Sequence, residues 1–316
     1  MLISIAIPCY RSSKTIENVV QEIRQEFSKQ LKHSYQIILV NDGSPDNTFE
    51  VIRELCARDE KIIGVDLSRN YTQANAKMAA LPFVEGDVLI YMDDDGQHPA
   101  SGIFQLTEKI EEGYDLVYAK FSHKKASFFK KFTSEWNSRI REILGVKPKG
   151  IKTSPFMALN RMLIDKALEY KSPSPSLGAY LLRITTRIAN VEVEHRSRLV
   201  GKSGYTLKKL VNLALRSYTN FTITPLRMAS YIGIVTAFIG LFYGIYLLVR
   251  KLVHPSVVAG YTSMMSVTLF IGGMIMFMLG ILGEYVGRMY MLLSDEPQYT
   301  VREIVGEKNN MSCEKS

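Results

Sequence analysis

The chain has 316 residues, 47% hydrophobic and 22% charged, a composition that excludes an intrinsically disordered protein. Its formal net charge is +8, and residues 120–152 hold ten Lys or Arg against two Glu, so this segment carries the whole excess. Such a local cationic segment indicates a surface that meets an anionic partner. The three cysteines have no metal-ligand spacing, so neither a disulfide framework nor a zinc site is indicated.

Short apolar runs alternate with helical patterns from the N-terminus to residue 112. The strand-like runs are 3–8, 36–40, 61–67 and 87–92, and the helical patterns are 15–30, 46–58, 72–81 and 101–112. This alternation predicts βαβ units and an α/β fold with a mostly parallel sheet. Because ligands bind at the carboxyl ends of the strands in such sheets, we expect the functional residues there.

Three aspartates, Asp93 to Asp95, directly follow the fourth strand-like run. In extended backbone alternate side chains share a face, so Asp93 and Asp95 can point one way and Asp94 another. Two carboxylates in a partly dry crevice repel each other unless a cation neutralises them, and oxygen ligands suit Mg²⁺ or Mn²⁺ together with substrate phosphates. The pattern favours a metal-bound diphosphate over the alternative, in which these residues only cap the next helix.

Asp42 stands where the second predicted strand ends, within the stretch NDGSPDNT. A carboxylate at this place can accept a hydrogen bond from the N–H of a nucleotide base, although the same stretch is also typical of a turn and a helix cap. The chain has neither a GxGxxG after its first strand nor a GxxxxGK[ST] motif. A Rossmann dinucleotide site and a P-loop are therefore poorly supported.

Two stretches near the C-terminus, 228–249 and 257–283, carry no charged residue. As helices they would be roughly 33 and 40 Å long, enough to cross a hydrocarbon core of about 30 Å. Buried helices of a soluble domain rarely run this long without a polar face, so we predict two membrane spans. Basic residues before the first span and after the second predict that the N-terminal domain and the tail are cytoplasmic, in agreement with an N-terminus that lacks a secretory signal.

Residues 121–144 interleave aromatic rings with Lys and Arg. This composition suits an interfacial helix that inserts rings between lipid headgroups and presents cations to anionic lipid. The alternative is an amphipathic helix packed on the domain with a solvated cationic face. Nucleic acid would also fit the charge, but the predicted spans argue against it. The predicted layout is a catalytic domain (1–210), a juxtamembrane segment (211–227), a transmembrane hairpin (228–288) and a tail (289–316).

Five motifs lie ahead of the two apolar stretches: PCY at 8–10, VNDGSPDNT at 40–48, MDDDGQHP at 92–99, RLVGKSGY at 198–205 and TPLR at 224–227. Singly these motifs are weak signals, but their order and spacing over nearly the whole chain are specific. Together they resemble the polyprenyl-phosphate glycosyltransferases of glycosyltransferase family 2, such as the bactoprenyl-phosphate glucosyl and aminoarabinosyl transferases and, more remotely, dolichyl-phosphate mannose synthase.

The resemblance implies a Rossmann-like GT-A catalytic domain with a nucleotide-diphosphate sugar as donor, and it favours a UDP-sugar over a GDP-sugar. It also implies undecaprenyl or another polyprenyl phosphate as acceptor. By position, Pro8, Tyr10 and Asp42 would frame the base and ribose of the nucleotide. Asp93 would lie near the ribose and the diphosphate.

The resemblance also implies the metal and phosphate ligands. Asp95 with Gln97 would hold Mg²⁺ or Mn²⁺ and the diphosphate. Arg198, Lys202 and Ser203 would approach phosphate groups of the acceptor or of the departing nucleotide. Asp93, Asp95 and Arg198 are the expected catalytic residues.

This chain departs from the family pattern in three places. Relatives often read YNE where it has Tyr10-Arg11-Ser12, SKY where it has Ser203-Gly204-Tyr205, and a GDFR-like element where it has residues 152–157. The last departure removes the expected acidic residue, but a lipid monophosphate with a second pKa of about 6 is mostly dianionic at neutral pH and can attack without a general base. In-line attack would invert the anomeric centre.

Two other functions fit the same sequence. One is a processive polysaccharide synthase, although these enzymes typically carry a QxxRW element and the only tryptophan here, Trp136, lies in no such context. The other is a non-catalytic nucleotide-sugar-binding membrane protein. Glycines in the second apolar stretch would allow close helix contact within one chain or in a homo-oligomer.

Overall fold

The computed structural model describes residues 1–121, 148, 150–172, 175–194, 261–293 and 297–306, with single helical positions between 231 and 253. The predicted interfacial helix falls almost wholly outside these residues, as do Arg198, Lys202 and Ser203. The chain forms two compact units. The first combines Met1–Gly204 with Glu296–Ser316, and the second is Tyr205–Asp295.

The first unit is built on an eight-stranded sheet within the described residues. Its strands are β1 (Leu2–Cys9), β2 (Ser34–Asn41), β3 (Ile62–Leu67), β4 (Val88–Tyr91), β5 (Leu116–Phe121), β6 (Met157–Asn160), β7 (Ile188–Val193) and β8 (Val301–Val305). Its helices are α1 (Ile16–Ser28), α2 (Thr48–Arg58), α3 (Gln73–Ala80), α4 (Gly102–Glu111), α5 (Arg161–Leu168) and α6 (Leu177–Ile184), with a 3₁₀ turn at Leu81–Phe83. The second unit contains α7 (Tyr261–Leu293).

The strand order is β7-β5-β6-β4-β1-β2-β3-β8. Strands β1 to β4 are parallel, whereas β6 runs antiparallel to both β4 and β5, and β8 runs antiparallel to β3. The chain passes from β1 outward through β2 and β3 and then returns to place β4 on the other side of β1. This reversal creates a crevice between β1 and β4, where open α/β sheets bind ligands. The predicted α/β class is confirmed, and the eight elements predicted up to residue 112 lie within two residues of the observed bounds.

Helices cover both faces of the sheet, which explains why the central strands are almost continuously apolar. Alternate residues of β1 contribute to two separate clusters of buried side chains. Ile5 belongs to the cluster that includes α1, α2 and α4, and its neighbour Ala6 to the cluster that includes α3, α5 and α6. Among the polar groups in this interior, the buried Ser4 hydroxyl donates to Gln36 Oε1 at 2.6 Å and accepts from the Gly86 amide at 2.9 Å.

Strand β8 comes from the tail that the sequence analysis placed after the membrane spans, and it forms the outer edge of the sheet. Arg302 binds it to the neighbouring strand and loop, with Nη1 3.3 Å from Asp66 Oδ2 and Nη2 donating to the Ser68 carbonyl at 2.6 Å. A second ion pair joins Arg53 on α2 to Glu303 at 3.0 Å. The tail is therefore part of the sheet that carries the site.

Helix α7 has 33 residues. Its segment Phe270–Met291 is long and apolar enough to cross a membrane, and it is the one helix of this kind within the described residues. Large apolar side chains along it are exposed, among them Phe270, Ile275 and Phe277.

Candidate active site

The predicted site residues of the first unit converge at the crevice between β1 and β4. Pro8 is buried near the end of β1, and Tyr10, just beyond it, exposes 44% of its surface. The amide of Asp42 donates to the carbonyl of Cys9 at 2.9 Å, which joins the loop after β2 to the end of β1. The ends of these two strands therefore form one continuous wall, with a solvent-accessible aromatic ring at its rim.

Asp42 is 3% exposed, and its carboxylate is held by the loop that leads into α3. The amide of Tyr71 donates to Asp42 Oδ1 at 2.6 Å, and the amide of Thr72 is a further backbone donor. Burial raises the pKa of Asp42, and the two backbone hydrogen bonds oppose this shift. The carboxylate thus fixes the loop after β3 against the loop after β2, at the place where a nucleotide base was predicted.

Asp94 has hydrogen-bond partners that differ from those of Asp93 and Asp95. Its Oδ2 accepts hydrogen bonds from the amide of Tyr10, at 3.1 Å, and from the hydroxyl of Ser12. The pKa of Asp94 is raised to about 6, chiefly by burial and also by the nearby charge of Asp93, against the opposing effect of the hydrogen bonds from Ser12 and Tyr10. Asp94 therefore holds the loop after β1 to the end of β4.

Asp93 faces α3 and the loop that follows β4. Gln73 Nε2 donates to Asp93 Oδ1 at 2.8 Å, and the Asp93 amide donates to His98 Nδ1 at 3.0 Å. The His98 ring is 4% exposed in its side chain and stacks between two aromatic rings, 4.9 Å from Phe156 and 5.5 Å from Phe121. This packing fixes His98 as a hydrogen-bond partner of the loop after β4.

Asp95 and Gln97 lie in the same turn, where the Gln97 amide donates to Asp95 Oδ1 at 3.1 Å. In the described part of the chain, no group of three or more His, Cys, Asp and Glu residues could hold a metal ion. The described residues therefore do not form a metal site in which every ligand comes from the protein. The oxygen donors of Asp93 and Asp95, both only partly buried, fit Mg²⁺ or Mn²⁺ that takes one or two carboxylates and completes its shell with phosphate oxygens and water.

Two residues with positive φ other than glycine occur in the described backbone, and both lie at this edge of the sheet. They are Arg11 (φ 58°), after β1, and Thr72 (φ 82°), at the start of α3. A β-branched residue such as Thr is strained in this region, and strain of this kind clusters at functional sites. Sequence reasoning did not identify either residue, because a backbone angle leaves no sign in a single sequence.

Lys77 on α3 is another residue that the sequence analysis missed. It is one helical turn from Gln73, is 9% exposed, and places its ammonium 5.2 Å from the centroid of the Tyr91 ring. Its Nζ donates to the carbonyl of Pro155 at 3.3 Å. Burial lowers the pKa of Lys77, and the charge of Asp93 acts in the opposite direction.

The stretch 152–157, where relatives carry an acidic residue, forms the loop that enters β6. Because β6 runs antiparallel to β4, with Met157 opposite Tyr91, this loop lies at the same edge as the aspartates. It contains no acidic side chain. The loop 152–157 therefore brings no carboxylate of its own to this edge of the sheet.

A parallel sheet with a polar crevice at its topological switch point and a DxD sequence at the end of β4 defines a GT-A type glycosyltransferase domain. Residues 4–170 match the family model described as glycosyl transferase family 2, and residues 224–289 match the model described as the GtrB C-terminal hairpin. The chain belongs to glycosyl transferase family 2 and is a glycosyltransferase.

Similar proteins are matched along nearly their full length. "Uncharacterized glycosyltransferase YkcC" of Bacillus subtilis is 32% identical over 97% of this chain and 95% of its own length. Undecaprenyl-phosphate 4-deoxy-4-formamido-L-arabinose transferase of Proteus mirabilis is 32% identical over 97% and 94%. The SfII prophage-derived bactoprenol glucosyl transferase of Shigella flexneri is 30% identical over 96% and 98%.

Among solved structures, the fold is similar to that of glucosyl-3-phosphoglycerate synthase from Mycobacterium tuberculosis, which was crystallised with Mn²⁺, uridine diphosphate and phosphoglyceric acid. The TM-score is 0.52 at 18% identity, over 69% of this chain and 76% of the other. At this identity the likeness shows the GT-A fold alone.

Proposed function

We propose that this protein transfers a sugar from a nucleotide-diphosphate donor, a UDP-sugar, to undecaprenyl or another polyprenyl phosphate at the cytoplasmic face of the membrane. The observation that carries the proposal is the convergence of Tyr10, Asp42, Asp93 and Asp95 on one crevice of a GT-A domain. Support for the acceptor comes from relatives that match along the whole chain and are named for transfer to undecaprenyl phosphate or bactoprenol.

The nucleotide is proposed to lie along the wall formed by the ends of β1 and β2. Pro8 and Tyr10 bound the base and ribose on one side, and Asp42 accepts a hydrogen bond from the base. Asp42 suits this role because its loop is fixed by backbone hydrogen bonds before any ligand arrives, so little ordering is needed on binding.

The diphosphate is proposed to reach the end of β4. Asp95 with Gln97 would hold Mg²⁺ or Mn²⁺ there, with Asp93 beside the ribose and the diphosphate. When bound, the metal would stabilise the negative charge that develops on the leaving nucleotide. Asp93 is set in place by Gln73 and His98, so its orientation does not depend on the ligand.

The acceptor needs no carboxylate base from the loop 152–157. At neutral pH a phosphate monoester is mostly dianionic, so an oxygen of the lipid phosphate attacks the anomeric carbon directly. A bond forms between this oxygen and the carbon, the bond from the carbon to the diphosphate breaks, and the nucleoside diphosphate leaves with the electron pair. In-line attack inverts the anomeric centre. Arg198, Lys202 and Ser203 are proposed to bind phosphate groups of the acceptor or of the departing nucleotide.

The membrane part is proposed to be a hairpin of two spans, residues 228–249 and a segment of α7. Support comes from the match of residues 224–289 to the GtrB C-terminal hairpin and from the exposed apolar surface of α7. The basic and aromatic segment 121–144 is proposed to lie on the bilayer, close to the headgroup of the acceptor. The resulting layout is the one predicted from the sequence, with the catalytic domain in the cytoplasm.

The test is transfer by the purified full-length chain in detergent or nanodiscs. A panel of UDP- and GDP-sugars is offered with a polyprenyl phosphate, and mass spectrometry detects a lipid phosphosugar. We expect one sugar to be transferred to each lipid phosphate. This product should form only with a divalent metal and should be absent with Asp95→Asn. A polymeric product would indicate a processive synthase, and binding of UDP without any product would indicate a non-catalytic protein. Wild-type rates and an unchanged response to chelator in folded Asp95→Asn would contradict the metal role.

A further inference from the structure

Lys77 is a buried cation at the active-site edge whose charge is not matched by a bound carboxylate. Its relative exposure is 9%, and within the described part of the chain its Nζ makes one hydrogen bond, at 3.3 Å, to the Pro155 carbonyl. An ammonium has three N–H donors, and burying one without compensation is unfavourable. A contact with the face of Tyr91, 5.2 Å from the ring centroid, offsets only a part of this loss.

The surroundings of Lys77 are those in which the donor diphosphate is proposed to bind. Gln73, one turn earlier on α3, donates to Asp93 at 2.8 Å, so this face of the helix lies against the aspartate triplet. The hydroxyl of Tyr91 donates to the carbonyl of Lys77 at 2.9 Å, which fixes the helix to the last residue of β4. Pro155 lies in the loop that enters β6 at the same edge. Asp93 is the carboxylate whose charge acts on the ammonium.

These contacts place a positive charge where the proposed reaction has phosphate groups and where acidic residues otherwise dominate. A purely structural lysine would be expected to pair with a carboxylate or to extend its ammonium to solvent. Lys77 does neither in the described structure. The long bond to a neutral carbonyl is one that a phosphate oxygen can replace, because a charge-assisted hydrogen bond is shorter and about twice as strong.

We infer that Lys77 binds a phosphate oxygen of a substrate, either of the nucleotide diphosphate or of the lipid phosphate, an inference that rests on the proposed function. The residue would hold the phosphate from the α3 side, opposite the loop after β1. It would also provide a fixed positive charge beside Asp93 before a metal arrives.

The experiment compares full-length Lys77→Met, which keeps the apolar stem and removes the charge, with Lys61→Met. Lys61 is a matched control, because its Nζ lies 4.7 Å from the centroid of the Tyr35 ring but at the amino end of β3, away from the site. Calorimetry measures the Kd of UDP in EDTA and in Mg²⁺, and kinetics measure the KM for polyprenyl phosphate. Lys77→Met is expected to raise one of these constants about tenfold or more, and Lys61→Met to leave both within twofold.

The two arms distinguish the sources of the phosphate. If Lys77→Met raises the Kd of UDP even in EDTA, Lys77 binds the diphosphate. If the change is confined to the KM of the acceptor, Lys77 binds the lipid phosphate. A folded Lys77→Met variant with both constants within twofold of wild type overturns the inference. Absence of transfer by the wild type would instead overturn the proposed function, and the UDP arm would still test Lys77.

A measurement on the wild type keeps the inference testable if Lys77→Met does not fold. Reductive methylation is followed by mass spectrometry at Lys77 and Lys61, with and without UDP and with and without short-chain polyprenyl phosphate. A bound phosphate should slow modification of Lys77 at least fivefold and leave Lys61 unchanged. Equal rates at Lys77 under all conditions would contradict a phosphate contact.

Discussion

Replacement of Arg302 by alanine tests how firmly the returning tail is tied to the catalytic sheet. The guanidinium forms an ion pair with the buried Asp66 and donates to the Ser68 carbonyl, and Asp66 in turn accepts a hydrogen bond from Asn41 at 2.6 Å. Asn41 is the residue before Asp42. The change therefore leaves a carboxylate that is 5% exposed in its side chain with one fewer partner, next to the proposed nucleotide site.

The size of the effect follows from the exposure of the two partners. Hydrogen bonds to charged groups contribute about 1.5–3 kcal/mol, whereas exposed ion pairs contribute about 0–1 kcal/mol. Arg302 is 60% exposed in its side chain while Asp66 is buried, so an intermediate loss of about 1–2 kcal/mol is expected. For a domain of about 200 residues, this loss corresponds to a fall in Tm of roughly 2–8 °C.

The assay is thermal unfolding of the full-length protein in detergent, with Arg53→Ala as the matched control. Arg53 also binds the tail strand, through Glu303, but both side chains of this pair are more than 40% exposed, at 48% and 43%. Its loss should cost about 0–1 kcal/mol, a fall in Tm of at most about 4 °C and smaller than that of Arg302→Ala. Equal shifts for the two variants, or an unchanged Tm in Arg302→Ala, would refute the conclusion that burial of Asp66 makes the first contact the stronger one.

Three further variants test the packing around the crevice, each by Tm and by the affinity for UDP. In Gly43→Ala (φ 57°), the new Cβ would lie 2.3 Å from the carbonyl carbon of Arg69, so we expect a loss of about 2 kcal/mol or more and weaker UDP binding. In Thr72→Gly, relief of the positive φ should stabilise the domain by about 1 kcal/mol, and a lower Tm would contradict the assigned strain. In Ser4→Ala, the Gly86 amide loses its buried acceptor, which should cost about 1–3 kcal/mol without changing UDP affinity; a change in affinity would show that this network reaches the site.

The first half of the sheet could be predicted because its signals are local. Strands β1 to β4 are covered on both faces, so each is a mainly apolar run, and the polar residues that follow mark their carboxyl ends. Alternation along a strand does not explain the separate role of Asp94, because the triplet follows the end of β4 and enters a turn, where Asp94 binds the loop after β1.

The remaining elements could not be predicted, because their pairing is not encoded locally. Strand β6 has only four residues, Met157–Asn160, and runs directly into a helix. Strand β8, Val301–Val305, is an edge strand with an Arg and a Glu, and its partner β3 lies more than two hundred residues earlier in the chain. Lys77 was missed for a related reason, since only the packing of α3 against Tyr91 and the loop before β6 shows that this lysine is buried.

The pairing of β8 with β3 constrains how many times the chain can cross the membrane in the proposed topology. Because both strands belong to one sheet, the proposed topology must place β3 and β8 on the same side of the bilayer, with an even number of crossings between them. An α7 that crosses once therefore requires a return crossing, and residues 228–249 are the other uncharged stretch long enough to supply it. A variant with an odd number of crossings would leave β3 with an open edge, and we expect it to aggregate rather than to fold with its tail on the far side.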